Sequence, residues 1–181
     1  MITETMNEAM RPLRGMAQPR SETSYLDPRI KAELDEGLTI REGCLFFVSQ
    51  IHNIRQNSDA DFGGPTGFEG YINKLPLDWL IDGADDSPAW RDFAGTSDWV
   101  AGCLTQGILL GHLVIAAAAE LTDNPIDVWI HVDYGHDEEN PSASFRFVTY
   151  REEDLWASNL DGFEQPVLRM TSGNKIKSVG T

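Results

Sequence analysis

The densest group of side chains able to do chemistry is His131, Asp133, His136, Asp137, Glu138 and Glu139. Two imidazoles and a carboxylate can hold a divalent cation, and His131, Asp133 and His136 are the three that would do so. Their spacing corresponds to no metal motif, and no second cluster stands ready to complete the shell. A metal-dependent enzyme on these three residues is therefore the alternative reading. The main expectation is a solvated strand end with no metal and no cofactor.

Nucleophile arrangements are missing. Cys44 and Cys103 lie inside apolar segments without a context that would lower a thiol pKa, so both are expected as buried, small hydrophobes. Ser49 and Ser97 carry no elbow motif. His52 and His112 each interrupt a largely apolar run and read as hydrogen-bonded core residues. The glycine-containing stretch 57–70, NSDADFGGPTGFEG, lacks the Gly-Lys-Ser/Thr ending of a phosphate loop, and Asp59, Asp61 and Glu69 would repel phosphate. Paired carboxylates are uninformative in a chain with 29 acids. The expectation is a protein that is not an enzyme.

A binding surface can be read instead. Residues 126–134, IDVWIHVDY, alternate, with Val128, Ile130, Val132 and Tyr134 on one face and Asp127, Trp129, His131 and Asp133 on the other. Residues 142–150, SASFRFVTY, alternate again, with Phe145 and Phe147 opposed to Arg146, Val148 and Tyr150. The two strands predict an antiparallel hairpin. Its polar face brings together Trp129, His131, Asp133, Arg146 and Tyr150, bordered by Glu138, Glu139, Glu152, Glu153 and Asp154. Aromatic and arginine side chains ringed by acids have the composition of a protein interface. Asp82, Asp85 and Asp86, in an acidic loop, extend the negative border.

The element that must position this face is the run from Ser97 to Leu121, where no charge falls between Asp98 and Glu120. Thr96 or Ser97 can cap it, Asp98 suits the positive end of the helix dipole, and Pro125 lies just beyond its end. A helix of roughly 24 residues would be about 36 Å long. Apolar all round, it belongs in a core or in a membrane. Gln106, His112 and the acidic flanks favour the core; a membrane-associated protein using residues 99–121 is the other alternative. Gly107-x-x-x-Gly111 marks a place where another element crosses closely.

Elsewhere the spacing predicts a loosely ordered or disordered arm over residues 1–25, a helix opened by Asp27-Pro28 and closed by Gly37, a second helix over 40–56, and a segment at 68–80 that is partly helical. A strand through 44–48 competes with the second helix. Residues 165–171 predict a third strand. The expected fold is α+β: helices in the N-terminal two-thirds around the long buried helix, then a small antiparallel sheet of about three strands at the C-terminal end. One globular domain would cover 26–171, with a frayed tail at 172–181.

Charge narrows the function classes. The chain carries 29 acidic and 14 basic residues, a net of −15. Residues 32–168 hold 25 acids against six bases, a net of −19. Such a body repels phosphate backbones, so nucleic acid is not an expected partner, whereas a basic protein would be drawn to it quickly. The opening MITETMNEAM lacks a basic and then apolar secretory pattern, and the expected compartment is cytoplasmic.

In its order of segments the chain resembles the small immunity proteins of bacterial contact-dependent growth inhibition and related polymorphic-toxin systems. The stretches that carry the resemblance are LFFVSQIHNI (45–54), FEGYINKLPLDWL (68–80), the central helix, the strand pair and LDGFEQPVL (160–168). The resemblance implies a cytoplasmic, non-catalytic protein that binds and blocks one cognate toxin, often a basic nuclease; the chain itself is expected as a monomer or weak dimer. It carries over no catalytic residue and leaves the stretch before Tyr25 unexplained.

Overall fold

A computed structural model describes residues 1–54, 62–78, 94–135, 141–151 and 159–173. The elements are β1 (Ile2–Met6), α1 (Arg11–Arg14), α2 (Pro28–Glu36), β2 (Leu38–Arg41), β3 (Cys44–Phe47), α3 (Ile51–Ile54), α4 (Pro65–Ile72), β4 (Leu75–Pro76), α5 (Ser97–Ala118), β5 (Ile126–Asp133), β6 (Ser142–Thr149) and β7 (Val167–Ser172).

Helix α5 starts where the capping residues direct. Thr96 Oγ1 accepts from the Trp99 amide at 3.3 Å, and Asp98 sits in the first turn. Gly107 and Gly111 turn toward the sheet. A Cβ on Gly107 would lie 3.0 Å from both Ile130 Cδ1 and Leu77 Cδ1, and one on Gly111 would lie 2.9 Å from Met170 Sδ. The two glycines thus let the helix axis sink onto Val128, Ile130 and Met170. Among the described residues α5 is long and apolar enough to cross a membrane, with a mean hydropathy of 1.8 in its most apolar window, half of which is buried against the rest of the protein. Gln106 belongs to its packing: its side chain accepts from the Asp27 amide and donates to the Tyr25 carbonyl, tying the start of α2 to the helix. His52 and His112, expected in the core, are exposed.

The sheet overturns the expected architecture. It has five strands in the order β1-β7-β5-β6-β4, and it is central rather than a small C-terminal appendage. Strand β5 pairs with β6 along its whole length and with β7 on its other side. The remaining two strands come from far away in sequence. β4 is only Leu75-Pro76, set against Phe145 and Ser144 at one edge, where a proline is tolerated. β1 closes the other edge, with Ile2 opposite Ser172 and Met6 opposite Leu168.

The stretch expected as a loose arm therefore enters the sheet and is pinned there. Asn7, 2% exposed, donates to the Phe163 and Gln165 carbonyls at 3.1 and 2.8 Å, and its Oδ1 accepts from the Val167 and Met10 amides. Met10 and Leu13 then pack into the main core.

The helix expected over 40–56 is mostly a hairpin. Glu42 and Gly43 both have positive φ, 52° and 80°, the signature of a two-residue loop whose twist matches the flanking strands. β2 and β3 pair antiparallel, and only the short α3 follows. The side chains of β3 divide with period two: Leu45 and Phe47 enter the main core, while Cys44 and Phe46 pack with Phe68 and Ile72 of α4. A strand buried on both faces reads as a continuous apolar run, which periodicity alone does not distinguish from a buried helix.

Candidate functional site

Registry fixes which side chains share the face of the sheet opposite α5. Trp129 lies across from Arg146 of β6 and Arg169 of β7, and His131 across from Ser144 and Val167. The hairpin alternation thus places Trp129, His131 and Arg146 together. This face is not bare, however. α4 lies over β6, with Gly70 against Val148, and the segment around Leu160 and Phe163 covers Trp129. Trp129 is consequently 6% exposed and forms an inner wall instead of a surface anchor.

What remains open between these covers is a pocket of about 270 Å³. Trp129, Val148, Phe163 and Val167 supply its apolar walls, and the first turn of α4, at Thr66 and Gly67, closes one side. His131, Ser144 and Arg146 are its polar groups. Gly67 is required by the backbone rather than by the pocket, since a Cβ there would meet the Phe62 carbonyl oxygen at 2.1 Å.

Two buried ion pairs hold the walls. The first centres on Glu69 of α4, which is 0% exposed. Its carboxylate accepts from the Leu45 amide at 2.6 Å, the Thr149 amide at 2.9 Å, the Thr149 hydroxyl at 2.8 Å and the Arg151 guanidinium at 2.7 Å. One turn later Asn73 donates to the Leu45 and Phe147 carbonyls and accepts from the Phe47 amide. Residues 69 and 73 share a helix face and bridge β3 to β6, joining the hairpin to the large sheet. The second pair is Asp127 with Arg169, at 2.5 Å, supported by the Thr171 hydroxyl at 2.7 Å. The Arg169 guanidinium lies 5.4 Å from the Trp129 ring and 5.6 Å from the Tyr150 ring, within cation–π range of both.

The other residues of the predicted surface are dispersed. Tyr150 is half-buried beneath Arg169, outside the pocket lining. Asp133 is the last residue of β5, its Oδ1 accepting from the Gly135 amide at 2.9 Å. Asp82, Asp85, Asp86, Glu138, Glu139, Glu152, Glu153 and Asp154 lie outside the described residues, as does His136. Among the described residues no group of three or more His, Cys, Asp or Glu side chains is placed to hold a metal ion. Ser144 follows from the same alternation that gives Arg146. Phe163, Val167 and Thr66 arrive through long-range packing, for which the sequence carries no local signal.

Burial sets the protonation states. It pushes the Cys103 thiol well up, with Asp78 adding to the shift, so this cysteine is an inert core residue. Desolvation holds the Arg146 guanidinium below the ordinary arginine range although the side chain is open at the pocket mouth. The His131 imidazole is lowered from its ordinary 6.5, first by burial and then by the facing charges of Arg146 and Lys74, with Asp133 opposing them. It is therefore neutral at neutral pH. A histidine depressed in the folded state stabilises above the unfolded pKa. That contribution is lost as pH falls from 6.5 toward the folded value, because the unfolded chain takes the proton first. The imidazole Cε1 proton of His131 should titrate with a midpoint below 6.5, and His131→Gln should lose less stability on that acid limb. A midpoint at or above 6.5 would contradict this electrostatic account.

No protein-family model matches the chain, and neither a curated protein nor a solved structure is significantly similar to it.

Proposed function

We propose that the chain belongs to the class of non-catalytic binding proteins and that its acidic surface captures a basic protein partner. Within that class the reading is a cytoplasmic immunity protein that neutralises a cognate toxin carrying a basic, nucleic-acid-facing cleft. The single observation that carries the reading is the disposition of charge. Among the described residues, Glu4, Asp27, Asp35, Glu69 and Asp127 form ion pairs with Arg14, Arg29, Lys31, Arg151 and Arg169. These internal pairs use basic residues that are already in the minority, 14 against 29 acids. Among the described residues the carboxylates of Glu8, Glu36, Glu42, Glu120, Asp161 and Glu164 are all exposed to solvent. A field of that sign accelerates encounter with a basic surface and rejects the phosphate backbone that such a toxin would cleave.

The reading is tested by capture from the native host with the tagged full chain, eluted by rising salt. The expected result is one basic protein retained at low salt and released as the screening length falls from about 10 Å at 0.1 M toward about 3 Å at 1 M. Recovery of no partner, or of one whose retention ignores salt, would count against it.

A further inference from the structure

We propose that the pocket between α4 and the outer face of β5 and β6 is a binding site for a small aromatic carboxylate, its ring held against Trp129 and its carboxylate held by Arg146. The proposal is independent of the toxin-binding reading, because it concerns a free small molecule and its test involves no partner.

Three observations converge. First, Arg146 is the only charged side chain among the described residues lining the pocket. In a chain with twice as many acids as bases, that is a local reversal of sign. Second, Arg146 has no carboxylate partner among the described residues, whereas Arg169 on the same face is paired with Asp127, and Arg14, Arg29 and Arg151 are paired elsewhere. Its planar fork matches a carboxylate in bidentate geometry. Third, the remaining walls suit a flat apolar body. Trp129, Phe163, Val148 and Val167 provide a stacking and packing surface, and the volume of about 270 Å³ admits one ring system with a short acidic arm. The Ser144 hydroxyl makes no side-chain hydrogen bond among the described residues, and with His131 it adds polar groups to the pocket beside Arg146. The acid facing this group is Asp133, opposed by Lys74 and by Arg146 itself. A single guanidinium in the pocket fits a monoanion better than a phosphate, which would call for further donors.

The test is calorimetric titration of the full chain with benzoate, phenylacetate and indole-3-acetate, each beside its uncharged amide. At least one acid should bind saturably. Its amide should bind about tenfold or more weakly, and Arg146→Met, an exposed substitution that leaves the fold intact by circular dichroism, should weaken the acid by a similar factor. A second variant, Val148→Trp, accepted only if its circular dichroism and urea midpoint match the parent, fills the pocket from its wall and should abolish binding while Arg146 remains. No saturable binding by any of the three acids up to about 10 mM, equal binding of acid and amide, or unchanged affinity in Arg146→Met would each overturn the proposal. Such a failure would leave salt-dependent capture of a basic protein unaffected, so the two readings fail separately.

Discussion

Glu69→Ala is expected to lower the unfolding free energy by about 3–5 kcal/mol, the cost of removing one member of a buried ion pair. The cost comes from the groups that the deletion strands. The Leu45 and Thr149 amides lose their acceptor, and the Arg151 guanidinium, with its side chain 16% exposed, loses its counterion. Each buried donor left without an acceptor costs about 1–3 kcal/mol on its own, and the residual exposure of Arg151 places the sum below simple addition. Glu69→Gln should do little better. Each carboxylate oxygen accepts from a backbone amide, Leu45 at one and Thr149 at the other, so an amide NH2 at either position would face an N–H that cannot accept. The measurement is the urea midpoint at constant slope, which separates a change in stability from a change in compactness. A loss below about 1 kcal/mol would mean that apolar packing alone docks α4 and the hairpin onto the sheet.

Gly107→Val is expected to cost about 3 kcal/mol, the upper range for forcing methyl groups into a packed core. A single Cβ there already meets Ile130 Cδ1 and Leu77 Cδ1 at 3.0 Å, and valine adds two carbons beyond it. Gly107→Ala should come out near neutral, because about 1 kcal/mol of helix propensity offsets a displacement of a few tenths of an ångström at the ends of Ile130 and Leu77. Ala116→Val, on the exposed side of the same helix, should stay within about 1 kcal/mol of the parent. Thermal unfolding of the three variants checks this order. If Gly107→Val proved as stable as Ala116→Val, the close approach of α5 to the sheet would not be a stability determinant.

Where local pattern and tertiary packing agree, the sequence is legible. Asp27-Pro28 and Gly37 bound α2 as their chemistry requires, Thr96 caps α5, and the period of two in residues 126–150 yields the β5–β6 pair in register. That register is why Trp129, His131 and Arg146 can be grouped from sequence. Where packing overrides pattern, it is not. The run from Cys44 to Phe47 is buried on both faces, so its alternation is invisible, and only the positive φ values at Glu42 and Gly43 disclose the hairpin. β1 carries polar Thr3, Glu4 and Thr5 because it is an edge strand, and the partner that orders it lies some 165 residues away in β7. The two-residue β4 has no periodicity to read. The pocket illustrates the same limit. Its strand side follows from alternation, but its roof, from α4 and Phe163, depends on Glu69, Asn73 and Asn7 making contacts across 74 to 160 residues. Glu69 and Asn73, four residues apart in α4 and at its C-cap, were the available signal for that staple.

The central claim, that this acidic chain neutralises a basic partner without catalysis of its own, is tested most directly by adding the purified chain stepwise to the captured partner and following the partner's degradation of nucleic acid. The account predicts that degradation falls to background at one chain per partner and recovers when salt separates the two. Degradation that continues unchanged with the chain in excess would contradict it.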